Sequence, residues 1–271
     1  MKKILTSIVL LVTFAISVQA QMVGSTTSYN NNQSHQSKNH SDSFGGLSLY
    51  AGGAFPIGNF KAGNFTDNVP TDWALLFTDG NKGYAGVGFN IGWDVLIPVS
   101  KNGLGIFIGM DYFYNEHNKD LKEFISNNDD VIDKAPKIHN IVPLISGLRY
   151  LGNISNNFGI FVEAGCGINI RIITKMEFGY TDALYGHNYT VNETLKYDPA
   201  LTFAFKIGTG MMIARHLSIG VDFYSLGSAQ VKGKDEYSIY SAYYGSESGS
   251  ETFNTKDLEC SELVLRLGVK F

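Results

Sequence analysis

Cysteine is almost absent from this chain. Cys166 and Cys260 are the only two in 271 residues, which excludes a small disulfide-stapled domain and leaves at most one bridge. Both are expected to be free thiols, because Cys166 falls inside a strand among outward-facing residues. The residue directly after Ala20 is Gln21 and not a cysteine, so a lipid-anchored lipoprotein is not expected. Long apolar runs are missing after the first twenty residues, which excludes a helical membrane span of about 20 residues in the remainder. Positive charge is also short. The formal net charge is −4, and nucleic-acid binding would want a basic surface.

The signatures of chemistry are equally thin. Gly86-x-Gly88, Gly165-x-Gly167 and Gly208-x-Gly210 lack the third glycine and the following helix of a nucleotide site. His117, His139, His187 and His216 have no serine and acid at readable spacing, and His35 and His40 fall in a polar tail. Metal-ligand spacing is missing. Asp129, Asp130 and Asp133 lack the ordered ligand pattern of a Ca²⁺ loop. No cofactor is expected.

What is present begins at the N-terminus. "MKKILTSIVLLVTFAISVQA" has a short positive start at Lys2 and Lys3, an apolar stretch from Ile4 to Val18 and a small-residue cleavage site. It reads as a secretory signal peptide, cleaved after Ala20. Its removal takes away two lysines and no acid, moving the formal charge from −4 to −6. Residues 21–43 are rich in Asn, Ser and Gln and cannot bury enough apolar area to offset chain entropy. They are expected to form a disordered tail. The single structural domain is then 44–271.

From Phe44 onward one pattern repeats. Segments of about ten residues alternate apolar with small or polar side chains, the period of a β-strand. Mean hydropathy near zero, −0.03, hides this because alternation averages out. Eight segments can be counted, near 46–56, 84–97, 104–114, 139–151, 158–172, 200–213, 217–227 and 260–271. The gaps alternate strictly. Long ones cover 57–83, 115–138, 173–199 and 228–259; short ones are 98–103, 152–157 and 214–216. A soluble sandwich has no reason to alternate loop lengths. An up-and-down barrel in an outer membrane does, with short periplasmic turns and long outer loops.

The two faces support this. In 158–172, Ile160, Val162, Ala164, Cys166, Ile168 and Ile170 lie on one side, and Gly159, Phe161, Glu163, Gly165, Asn169 and Arg171 on the other. Charges throughout fall on the second face. That placement matters because a Lys or Arg facing lipid at the midplane costs roughly 2–4 kcal/mol. The fold expected is all-β: an eight-stranded antiparallel transmembrane barrel with four long extracellular loops, located in the bacterial outer membrane. A closed barrel is also the β arrangement that satisfies every backbone group in lipid.

"GLSLYAGGAFPIGNF" (46–60) resembles the first strand and first loop of small bacterial outer-membrane barrel domains, and "IVPLISGLRYLG" (141–152) resembles their central strand and turn. The resemblance is to the PorT-like and OmpA-type barrels and covers about 44–271. It implies that Phe271 is the terminal aromatic read by the outer-membrane insertion machinery. It carries no activity. Pro143 departs from the pattern, since a proline removes a ladder hydrogen bond, and is placed near the outer rim.

An eight-stranded barrel is just wide enough for side chains to fill. The inward charges are Asp94, Asp111, Arg149, Glu163, Arg171, Lys206, Asp222, Glu262, Arg266 and Lys270, balanced between acids and bases. They are expected to form an ion-pair network that plugs the lumen, with Asp222–Arg266 as the leading pair. The long loops hold the remaining interest. The 57–83 loop carries Phe60, Phe65, Trp73, Leu75, Leu76 and Phe77, and 228–259 contains "YSIYSAYYGSESGSETF". Such loops suit adaptable recognition; alternatively, the strands continue above the membrane as hairpins bearing tyrosines. Residues 121–133 read as a short helix or an acidic loop.

The functional expectation is a non-enzymatic envelope protein acting through its surface loops. Its partners would be outer-membrane lipid, the insertion machinery and an envelope or surface protein. Two alternatives stay open: a porin-like narrow channel for small solutes, and a lipid-modifying enzyme.

Overall fold

The computed structural model describes residues 45–61, 83–127, 132, 140–155, 157–184, 187–214, 216–243 and 245–271. The expected signal peptide, the tail with His35 and His40, the loop residues Phe65, Trp73, Leu75, Leu76 and Phe77, the acids Asp129, Asp130 and Asp133, and His139 lie outside them.

Among the described residues ten strands follow one another: β1 (Gly46–Pro56), β2 (Ala85–Pro98), β3 (Leu104–His117), β4 (Asn140–Ser155), β5 (Phe158–Ile172), β6 (Met176–Leu184), β7 (His187–Tyr197), β8 (Ala200–Ile213), β9 (Leu217–Ser241) and β10 (Gly245–Lys270). Among the described residues one α-helix, α1 (Lys119–Asn127), stands between β3 and β4. Eight strands close on themselves in the order β1-β2-β3-β4-β5-β8-β9-β10, and β10 returns to β1. Every pairing in this ring is antiparallel, as in Ser48↔Lys270 between β1 and β10. The chain is therefore a closed eight-stranded up-and-down barrel, with one end made of short turns and the other of long excursions.

Alternation decides which side faces in. Gly105, Phe107, Gly109, Asp111 and Phe113 on β3 are buried, whereas Ile106 and Ile108 are exposed. On β10, Val264, Arg266 and Gly268 are buried, and Leu263, Leu265, Leu267 and Val269 are exposed. Leu201, Phe203 and Leu267 are each about two-thirds exposed, at 67%, 66% and 63%. A belt of large aliphatic side chains running right round a water-soluble barrel would drive aggregation. Against hydrocarbon the same belt is the favourable surface. Aromatic rings gather outside it toward the loop end, where Phe89 and Tyr114 stack with centroids 5.3 Å apart, as expected of an interfacial girdle. No helix among the described residues is long and apolar enough to cross a membrane.

The long segments between strands are largely structured. The 173–199 segment forms the β6–β7 hairpin, with register Met176↔Leu195 to Leu184↔His187. The 228–259 segment is a continuation of β9 and β10, paired from Asn254↔Lys232 up to Gly245↔Ser241. Two of the four expected loops are therefore strands. The continuation needs a change of facing, because even-numbered residues of β9 point inward up to Leu226 and odd-numbered ones from Val231. Gly227, at φ +77°, makes that switch, and a Cβ there would come within 2.5 Å of the Phe203 carbonyl. β10 compensates with register shifts between Asn254 and Asp257 and between Glu259 and Ser261, the signature of β-bulges. Outside the barrel ring, β7 pairs with the upper half of β9, from Tyr189↔Ser241 to Tyr197↔Gly233. A four-stranded wing, β6-β7-β9-β10, thus stands above the ring.

Pro143 sits as its chemistry requires. β4 pairs β5 through Pro143↔Asn169, whereas its ladder to β3 passes from Met110↔Leu144 to Phe113↔Ile141 without it. α1 is capped by Asn118, whose side-chain Oδ1 accepts the Leu121 N–H at 2.9 Å.

Candidate functional site

Three layers fill the lumen. At the turn end, Leu151, Phe161 and Met212 pack together. At the loop end, Phe113, Ile141, Leu226, Leu258 and Cys260 belong to the main apolar cluster. Between them lies a group of charges on β2, β4, β5, β8, β9 and β10, where strand alternation aims polar side chains at the axis.

Glu163 is its hub. Arg149 donates to Glu163 at 2.5 Å and grips Asp94 with both terminal nitrogens, Nη1–Oδ1 at 3.0 Å and Nη2–Oδ2 at 2.7 Å. Lys206 Nζ lies 2.8 Å from Glu163 Oε1 and 3.6 Å from Asp222 Oδ2. Arg266 donates from Nη2 to Glu163 Oε1 at 2.7 Å, and its Nε is in ion-pair contact with Asp222 Oδ2 at 2.9 Å. Three acids meet three bases, all buried. Transfer of such charges out of water is costly unless each is paired, and the bidentate Arg149–Asp94 fork is a strong form of pairing.

Aromatic rings complete the cradle. Arg266 lies over Tyr50 at 4.8 Å and Arg149 over Phe107 at 5.3 Å. Lys206 is 5.1 Å from the Tyr224 ring. These cation–π contacts place a negative ring face against each buried cation. Glycine makes the room: a Cβ at Gly208 would meet Asp222 Oδ1 at 1.9 Å, and one at Gly92 would meet Asp111 Oδ1 at 2.5 Å.

Six of the ten inward charges read from the sequence are joined in this group. The other four are placed differently. Asp111 is held by neutral donors, Asn90 Nδ2 at 3.0 Å and the Tyr224 hydroxyl at 3.1 Å. Arg171 reaches across the lumen and donates from Nη1 to the Leu258 carbonyl at 3.1 Å. Glu262 is buried on β10, nearer the loop end than Arg266 and outside the ion-paired group. Lys270 is half-buried at the turn end. Phe271 is 70% exposed there, and its N–H donates to the Leu47 carbonyl at 2.8 Å. Sequence reasoning missed Tyr50 and Asn90 as partners of the charges. Their signal was modest but real: each occupies an inward position of a strand that also carries glycine.

Both cysteines are free, Cys166 exposed on the outer face and Cys260 buried in the lumen. His216 contacts the Lys270 carbonyl through Nδ1 at 3.2 Å at the turn end, whereas His117 ends β3 at the loop end. Among the described residues no three His, Cys, Asp or Glu are placed to hold a metal ion.

Over the loop end a second apolar cluster forms a cap. Leu121 of α1 packs with Tyr84, Ile132, Met176, Phe178 and Leu195, and Phe124, Ile125, Tyr197 and Phe253 border it. Burial, reinforced by the nearby Glu193 and Asp235 charges, pushes the Tyr197 phenol above its ordinary range. At the exposed foot of α1, Lys122 pairs with Glu116 and lowers the pKa of that carboxyl.

No family model and no curated protein matches the chain. Among solved structures it is similar to Ail, the attachment invasion locus protein of Yersinia pestis (11% identity, covering 84% of this chain and 99% of that one, TM-score 0.37). It is also similar to a major outer membrane protein from Thermus thermophilus (14%, 84% and 99%, TM-score 0.38) and to the outer membrane protein OprG from Pseudomonas aeruginosa (13%, 84% and 96%, TM-score 0.37). Likenesses this distant carry no weight for activity.

Proposed function

We propose that this chain is an integral barrel of a bacterial outer membrane whose lumen is sealed, and that it acts through the wing and cap it raises above the membrane. One observation carries the reading: the lumen is filled at three heights, by the Leu151–Phe161–Met212 contact, the charged group around Glu163 and the apolar cluster around Phe113 and Ile141. A solute pathway needs a continuous polar opening, and the middle layer offers charges that already satisfy one another. The protein needs no chemistry in this role. Its partners are membrane lipid, the insertion machinery during biogenesis and a molecule at the cell surface. The segments that resemble PorT-like and OmpA-type domains become β1 and most of β4, which lie on the ring itself.

The test is conductance of the refolded protein in a planar bilayer, with folding verified by a heat-dependent gel shift. Silence in the wild type, and in Arg266→Ala if that variant folds, is expected. Steady openings in the wild type that change in the variant would overturn the sealed barrel in favour of a narrow channel gated by the inner charges.

A further inference from the structure

The wing has two unlike faces. Inward, Met176, Phe178 and Leu195 are buried in the cap cluster, and Val191 is buried as well. Outward, the register brings polar groups into rows. Lys196 lies directly opposite Lys234, and Lys232 follows two residues along on the same face. Like charges directly opposite each other weaken a strand pair. Lys196 has Glu236 beside it. Among the described residues, Lys232 and Lys234 have no carboxylate partner.

Position gives this row its meaning. Leu201, in the lipid-facing belt, is five residues from Lys196, and an extended chain spans at most ~3.6 Å per residue. The Lys196 backbone therefore stands within about 18 Å of a lipid-facing leucine, at the depth of headgroups and the sugars above them. Higher on the same face, Asn192 lies opposite Ser238 and Thr190 opposite Tyr240, and Tyr240 is 60% exposed. From the membrane upward the surface presents ammonium groups, then Glu236 and Glu177 flanking Thr194 and paired with Lys196 and Lys175, then amides and hydroxyls, then an aromatic ring.

We propose that this outward face binds a phosphorylated glycolipid of the surrounding outer leaflet. Its acyl chains lie along the belt at Leu201 and Phe203, its phosphates meet Lys196, Lys232 and Lys234, and its sugars run over the Asn192–Ser238 row toward Tyr240. Charge complementarity selects the phosphates. Continuity of the face with the lipid belt selects a membrane-anchored ligand over a soluble one. The inference rests on the outer-membrane reading above.

The experiment uses the full chain refolded and reconstituted into nanodiscs containing lipid A, the doubly phosphorylated acylated glucosamine disaccharide. Lipid retention on transfer to detergent is read by native mass spectrometry. Each lysine near an anionic surface contributes about 1 kcal/mol, so Lys232→Glu/Lys234→Glu should retain lipid A at least about tenfold less well. Dephosphorylated lipid A should fall to the same level on the wild type. Lys101→Glu, in a turn at the opposite end of the barrel, should behave as wild type. Equal retention by the wing variant and the wild type would overturn the proposal, as would full competition by millimolar inorganic phosphate, which marks a soluble anion as the ligand. Failure of the wild type to enter nanodiscs would overturn the outer-membrane reading instead.

Discussion

Asp222 and Arg266 meet inside the barrel from neighbouring strands, the carboxylate Oδ2 2.9 Å from the guanidinium Nε. They are not register partners, since Asp222 lies opposite Val264 and Arg266 opposite Gly220. The contact is diagonal, and Gly220 leaves the space through which the arginine reaches. Arg266 also holds Glu163 at 2.7 Å, so a single cation serves two carboxylates.

Arg266→Met should therefore be costly. It leaves Asp222 and Glu163 with only Lys206 and Arg149 to balance them, and breaking a buried pair from one side costs about 3–5 kcal/mol. Urea unfolding in lipid vesicles should show an unfolding free energy lower by that amount, read as a lower midpoint at unchanged slope. Asp222→Asn combined with Arg266→Met should lose less than the two single losses added together, because the residues are in contact. Strict additivity would show that the pair contributes nothing as a pair.

A steric prediction concerns Gly208. Any side chain there collides with Asp222 Oδ1 and crowds the Glu163 stem. Gly208→Val should displace the Asp222 carboxylate from its cations and destabilise the barrel by about 1–3 kcal/mol, the usual range for overpacking. A midpoint equal to that of the wild type would mean that the network tolerates rearrangement.

The assignment of inside and outside can be checked chemically with the two thiols. Cys166 is exposed on the belt and Cys260 is buried in the lumen. In the vesicle-embedded protein an apolar, membrane-permeant maleimide should modify Cys166 alone, and a charged, impermeant one neither. Both thiols should react after unfolding in urea. Modification of Cys260 in the folded state would reverse the assigned faces.

Much of this arrangement was legible in the sequence, for an identifiable reason. Each ring strand alternates between lipid and lumen, so the pattern at Leu263–Lys270 or Phe158–Ile172 states its own fold. The inward charges were legible because lipid excludes them from the other face. The wing was legible only as one of two readings, strands continuing above the membrane as hairpins, because its outer face is polar and faces water, with Asn192, Thr194 and Lys196 alternating with Val191 and Leu195 on β7. Such segments look like a polar loop unless the change of facing at Gly227 is known. The group of six was also hidden. Which charges meet depends on barrel shear, and Arg171 and Glu262 carry the same sequence signature as Arg149 and Glu163, yet lie outside it.

The belt itself makes the last prediction. Leu265 is 51% exposed near the middle of β10's membrane-facing stretch, and Thr252 is exposed on the same strand in the wing. Leu265→Arg puts a guanidinium into hydrocarbon near the midplane and should cost roughly 2–4 kcal/mol. Thr252→Arg puts the same group in water, opposite Lys234, and should cost no more than about 1 kcal/mol. Paired urea titrations of the two variants in vesicles decide the matter. A small loss for Leu265→Arg would mean that the aliphatic belt faces something other than lipid. A loss of that size there, beside one within about 1 kcal/mol for Thr252→Arg, would place the hydrocarbon boundary between these residues, below the wing whose lysines stand at the headgroups.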